Sequence, residues 1–216
     1  DHVDPFIAAL GDKAKTMIVA KTSYAVTDPT VTSQIITLKS AGADTLYLAA
    51  QSRAAAQAIS AARDQAGWNA LIFLPYVASA KSVVGPVGDE KLKGVISADS
   101  NKDPTDPSWA DDPAVKEYLA WNKKYTPTQD QESNAASPGG YVSAEVMIEV
   151  LKRCGDVLTR ANIMKVATSF KDLSVPLLLP GITLNTSPDN YYPMHTMQLK
   201  RYDGTRWVLF GQPITE

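Results

Sequence analysis

The chain has one cysteine, Cys154, and two histidines, His2 and His195, among its 216 residues. A single thiol closes no internal disulfide, and so few sulfur and nitrogen ligands give no metal-site spacing. No G-x-G-x-x-G, P-loop or G-x-S-x-G elbow occurs, so no cofactor and no metal are expected. Long apolar runs are lacking too: stretches such as Val175–Leu179 are short and broken by proline, well below the ~20 residues of a membrane helix. Neither sign of charge dominates. The 21 Lys and Arg against 23 Asp and Glu leave a formal net charge of −2, and with no basic stripe nucleic acid is not an expected partner. Cys154 reads as a half-buried thiol closing a helix. The opening DHVDPFIAAL has neither the basic start nor the long apolar core of a secretion signal. The chain is therefore expected to be cytosolic, a mature product or a fragment.

What is present is the make-up of a globular protein, 44% hydrophobic and 20% charged, long enough for one large or two small domains. The first hundred residues alternate helical and strand patterns. Val3, Phe6, Ile7 and Leu10 share a helix face ending at Gly11. Met17–Ala20 reads as a short buried strand. Asp28-Pro29 reads as an N-cap and first turn of a helix running to Ala41-Gly42. Strand Leu46–Ala50, a helix over about Ala54–Ala66, strand Leu71–Leu74 and strand Val95–Ala98 follow. Apolar strands alternating with amphipathic helices give βαβ units, hence a doubly wound parallel α/β sheet. At Asp99 the pattern breaks into the irregular segment DSNKDPTDPSWADDP. A helix over Pro113–Tyr125, a polar loop, helices over Tyr141–Arg153 and Arg160–Phe170 (Thr159 as N-cap), and a hairpin of Met197–Tyr202 and Trp207–Gly211 turned at Asp203-Gly204 complete the chain.

Ligands of such sheets sit beyond the carboxyl ends of the strands. Two polar or aromatic turns fall there, Gln51-Ser52-Arg53 and Pro75-Tyr76-Val77. Gln51 and Ser52 donate and accept hydrogen bonds, Arg53 suits a bidentate grip on a carboxylate, and Tyr76 offers a ring face and a hydroxyl. That set fits a small, partly apolar anion. Each residue also has a plain structural role open to it: Ser52 as N-cap, Arg53 on the surface, Tyr76 in packing. Tyr141, after Gly139-Gly140, and Tyr24, at a strand end, complete the candidate set. For catalysis, neither Cys154 with His195 nor Asp111-Asp112 has supporting spacing, so the chain is not expected to be an enzyme.

The stretch TDPTVTSQIITLKSAGADTLYLAAQ, the strand end FLPY, the segment GYVSAEVMIEVLKRCGD with LTRANIMK, and the ending LPGITLNTSPDNYYPMHTMQLKRYDGTRWVLFG together resemble the periplasmic substrate-binding proteins of ABC importers, of the branched-chain amino acid (leucine/isoleucine/valine-binding) type. The resemblance runs over nearly the whole chain. It implies a periplasmic-binding-protein type I fold with two lobes joined by crossovers and a ligand trapped between them. Residues 1–100 with 196–216 correspond to the carboxy-terminal lobe and 113–190 to part of the amino-terminal lobe, with hinge crossovers at 100–112 and 190–196. The implied function is an extracytoplasmic solute-binding component of an ABC importer, periplasmic, binding a small apolar or aromatic carboxylate or amino-acid-like ligand in the cleft between the lobes, with that small-molecule ligand and a membrane permease as partners and no membrane embedding. The alternative is a ligand-sensing domain of a receptor or transcriptional regulator of the same fold. The family is longer at its amino terminus, so helices 141–153 and 160–170 are expected to lack the sheet they pack on. The chain would then be a fragment, or a partner copy would cover them. Amino-acid binders of the family place a carboxylate after the strand matching Leu71–Leu74, to pair with the substrate's ammonium. Tyr76 stands there, which implies an apolar or aromatic carboxylate rather than a simple α-amino acid.

Overall fold

A computed structural model describes residues 2–50, 52–127 and 137–216, without the side chains of Ser52 and Ser137. The chain divides into two compact units, Asp1–Ala98 with Lys200–Val208 and Asp99–Leu199 with Leu209–Glu216. The helices are α1 (Val3–Leu10), α2 (Ala14–Met17), α3 (Thr32–Ser40), α4 (Ser52–Ser60), α5 (Lys81–Val84), α6 (Asp89–Leu92), α7 (Pro113–Tyr125), α8 (Ser137–Cys154) and α9 (Arg160–Ala167). The strands are β1 (Thr45–Tyr47), β2 (Leu71–Phe73), β3 (Ile96–Asp99), β4 (Thr196–Tyr202) and β5 (Trp207–Thr215).

The strands form one sheet in the order β1-β2-β3-β4-β5. β1 pairs with β2 in parallel, Thr45 to Leu71 and Tyr47 to Phe73, and β2 with β3 in parallel at Phe73 and Ile96. The core of the first unit gathers where helix faces meet these strands: Ala55, Ile59, Ile72, Leu92 and Val95 are fully enclosed. Burying an isoleucine, leucine or valine side chain contributes about 1.5–3 kcal/mol. Ala55 and Ala58 of α4 are buried in this core, and a π-helical turn, Ala61–Gln65, then carries the helix to Gly67. Arg63 in that turn gathers the carbonyls of the chain entering β2, those of Trp68 at 2.9 Å and Ala70 at 3.1 Å, with the Asn69 side chain and the Lys91 carbonyl at 3.3 Å.

In the second unit, Asp112 caps α7 by accepting from the amides of Ala114 and Val115 at 3.0 and 3.1 Å, with Pro113 in the first turn. Thr159 caps α9 through Asn162. Val115, Tyr118, Val142, Val150 and Cys154 pack with Phe170, Leu177 and Leu184. Helix α8 carries a second apolar stripe on its opposite side, Met147, Ile148 and Leu151, spaced i, i+1 and i+4. It stands 50%, 43% and 41% exposed. Apolar residues on both sides are the pattern of a helix between two layers, and the described chain supplies one.

Three expectations are corrected. Met17–Ala20 is no strand: α2 runs through Met17, and the chain beyond it is extended but unpaired. Asp28 caps no helix. Its carboxylate accepts from the Ala25 amide at 2.8 Å and closes a turn, and α3 starts at Thr32. Gly139-Gly140 does not bound the helix after it, because α8 passes through both.

Candidate functional site at the strand ends

The turns that follow β1 and β2 leave neighbouring parallel strands at the same sheet edge, since Tyr47 and Phe73 are in register. After β1, the amide of Leu48 still donates to the Phe73 carbonyl at 2.9 Å. Leu48 and Ala50 remain buried. Gln51 lies outside the described residues. Ser52 opens α4, and its side chain is likewise outside them. Arg53, in the first turn of α4, is exposed, and its Nη2 donates to the Asp28 carbonyl at 3.2 Å. That bond ties the guanidinium to the turn closed by Asp28.

After β2 the geometry is tightly specified. The amide of Leu74 donates to the Ile96 carbonyl at 2.8 Å, and the Leu74 carbonyl accepts from the buried Ser97 hydroxyl at 2.8 Å. Pro75, extended at φ −63° and ψ 147°, ends the strand, as a residue with no amide hydrogen readily does. Tyr76–Ala78 then make a single 3₁₀ turn. The Pro75 carbonyl accepts from the Ala78 amide at 3.0 Å, and the Tyr76 carbonyl from the Ser79 amide at 3.0 Å. The Ser79 hydroxyl donates to that same oxygen at 2.7 Å. On this held backbone Tyr76 is 51% and Val77 41% exposed. The turn thus presents a ring face and a hydroxyl, half in water, on a backbone held by these bonds.

The remaining two candidates sit elsewhere. Tyr24 lies in the extended segment before α3 and packs on the core of the first unit. It lines a cavity of about 740 Å³ bounded by α1, residues 16–24, α3 and β1, and lined by Phe6, Ile7, Ile18, Leu46 and Tyr47 among others. Arg53, Tyr76 and Val77 do not line that cavity. Tyr141 belongs to the second unit. It is 8% exposed, with its ring edge-on to Tyr118 at 5.2 Å and to Trp121 at 5.5 Å. Burial, then the nearby Glu145 and Glu117 carboxylates, push its hydroxyl pKa up.

Sequence reasoning missed the residues that hold the Tyr76 turn. Ser79, three residues after Tyr76, has the spacing of a hydroxyl bonding back to a carbonyl, which was readable locally. Ser97 on β3 and Trp207 on β5, whose indole Nε1 donates to the Ser79 carbonyl at 2.9 Å, carry no local signal. Cys154 is buried at the end of α8, and the His195 ring lies 3.5 Å from the Asn190 amide. Among the described residues no group of three His, Cys, Asp or Glu is placed to hold a metal ion, and no helix is long and apolar enough to cross a membrane.

A family profile described as periplasmic binding protein matches residues 4–206. No curated protein matches. Among solved structures, the chain is similar to a branched-chain amino acid ABC transporter protein from Thermus thermophilus with bound valine. The TM-score is 0.74 at 12% identity, covering 90% of this chain and 52% of that one. An extracellular ligand-binding receptor from Rhodopseudomonas palustris gives 0.70 at 19% identity, covering 98% and 60%. One from Rhodopseudomonas palustris HaA2 gives 0.67 at 20% identity, covering 96% and 60%. These likenesses concern the fold, and the chain spans between half and three fifths of the length of the structures it matches.

Proposed function

Because the chain belongs to the periplasmic binding protein family, we propose that it acts as the periplasmic solute-binding component of an ABC importer and delivers a small apolar or aromatic carboxylate to a membrane permease. The work is binding and release, with no covalent step. The observation that carries the ligand class is the Tyr76-Val77 pair, half in water on a fixed turn at the carboxyl end of β2. An uncharged ring there offers an apolar acid a face to stack on and offers an α-ammonium group no counter-charge. Arg53, at the end of the adjacent strand, supplies the cation for the ligand's carboxylate. From the sequence, Gln51 and Ser52 are assigned hydrogen bonds to the same ligand. Tyr24 and Tyr141 are assigned to packing, since the one lies on the core of its unit and the other inside the core of its own.

Calorimetric titration with benzoate, cinnamate, leucine and valine tests the ligand class. Binding of an aromatic acid in preference to the two amino acids is expected. Tight binding of leucine or valine with none of either aromatic acid would refute it. The description of the Rhodopseudomonas palustris proteins as extracellular ligand-binding receptors favours one second reading, a ligand-sensing domain. A signalling or DNA-binding segment in the same gene product would select it, and a secretion signal with no such segment would select transport.

A further inference from the structure

We infer that Trp207 is a positioning residue for the Tyr76 turn, reaching it through Ser79 from the far end of the chain. The inference rests on the reading that Tyr76 contacts the ligand. Four carbonyls of the segment 74–79 have named donors: Leu74 from the Ser97 hydroxyl, Pro75 from the Ala78 amide, Tyr76 from the amide and hydroxyl of Ser79, and Ser79 from the indole of Trp207. The first comes from the neighbouring strand and the next two from within the turn. The last spans 128 residues and fixes the turn's exit.

The indole is itself held. The Tyr202 ring stands edge-on to it at 5.4 Å and 83°, and the Lys200 Nζ lies 5.1 Å over its face. Tyr202 in turn is anchored through its hydroxyl, which donates to the Asp89 carboxylate at 2.6 Å and is within 2.9 Å of the Thr205 carbonyl. All of these residues belong to the first unit. Ser79 is 2% exposed, so a carbonyl deprived of the indole there has little access to water and the turn would shift to satisfy it. Packing alone would be served by any large ring; the bond to Ser79 needs the indole N–H. A turn fixed before the ligand arrives presents Tyr76 without an ordering cost at binding, which is how preorganisation raises affinity.

The test combines Trp207→Phe, which keeps a ring and removes the donor, with Tyr76→Ala and the double variant, titrated with benzoate and cinnamate. Trp207→Phe is expected to weaken binding about three- to tenfold, the loss of one hydrogen bond's worth of positioning, and to have no further effect once Tyr76 is alanine. Ser79→Ala, which removes the hydroxyl bond to the Tyr76 carbonyl and keeps the amide bond, is expected to weaken binding as well. Unchanged affinity in Trp207→Phe, or an equal loss with and without Tyr76, would overturn the positioning role. A ligand-free measurement separates this inference from the function on which it rests. Exchange of the Ala78 and Ser79 amides should be at least about tenfold faster in Trp207→Phe, with the Leu74 amide unchanged. If the unaltered protein bound neither acid while those amides accelerated, the ligand reading would fall and the tether would stand. Equal exchange in both proteins would overturn the tether itself.

Discussion

Replacing Arg63 by methionine removes the donors that gather the chain entering β2 while keeping most of the side chain's apolar stem. Its Nη1 carries two hydrogens and faces three acceptors, the Trp68 carbonyl at 2.9 Å, the Ala70 carbonyl at 3.1 Å and the Asn69 side chain at 3.3 Å. The two short bonds are the strong ones, and Nε adds a longer one to the Lys91 carbonyl at 3.3 Å. A charge-assisted hydrogen bond contributes about 1.5–3 kcal/mol. The guanidinium is only partly buried, so the lower end applies and the two short bonds together give about 3 kcal/mol. The partial burial that holds its pKa below the usual arginine value works against the charge without removing it at any ordinary pH. With a urea slope of about 2 kcal/mol/M for a unit of this size, the midpoint should fall by about 1.5 M. Urea unfolding followed through amide exchange at Leu71 and Ile72 reads the first unit alone. Arg63→Lys should recover less than half, because lysine ends one atom short of the Nη1 position and has no Nε to donate to the Lys91 carbonyl. A midpoint within about 0.2 M of the unaltered protein, a difference of under about 0.5 kcal/mol, would refute the role assigned to Arg63.

Asp112 caps α7 and pairs with Lys102 at 2.7 Å, and the hydrogen bond from Lys102 is the main cause of a carboxyl pKa below the ordinary range, assisted by the Val115 and Ala114 amides. A depressed folded-state pKa stabilises above the unfolded value of about 3.9 and the benefit fades as pH falls through the folded value. Asp112→Ala should therefore cost about 2 kcal/mol at neutral pH and converge with the unaltered protein in strong acid, as measured by denaturation across pH. Asp112→Asn, which keeps a capping oxygen, should cost less. On α8, Ile148→Lys with Leu151→Lys should together cost the chain no more than about 2 kcal/mol, less than the same change in its core, since the two side chains stand 43% and 41% exposed. A loss above about 2 kcal/mol in thermal denaturation would show that something buries the stripe.

The sequence made the parallel α/β core legible because its strands are short, apolar and bounded by glycine or polar turns, and because Asp112-Pro113 and Thr159 are unambiguous helix starts. That Met17–Ala20 forms no strand was not legible in its local pattern. Strand formation there depends on an edge partner, and β1 pairs only with β2 in the sheet. Asp28-Pro29 carries the signal of a helix cap, yet the Asp28 carboxylate is used one turn earlier, on Ala25. Local sequence cannot tell which amide a capping side chain will find. The strand-end position of Tyr76 was readable. What holds it there was not, because Ser97 and Trp207 come from other strands and only the fold brings them to the turn.

In the proposed function, a small carboxylate ligand is met by the turns after β1 and β2. Amide exchange with and without saturating benzoate tests it most directly. Slower exchange at Arg53 and across Tyr76–Ser79 is expected in the presence of the acid. Protection confined to the cavity between α1 and β1, at residues such as Phe6 and Tyr47, would contradict it.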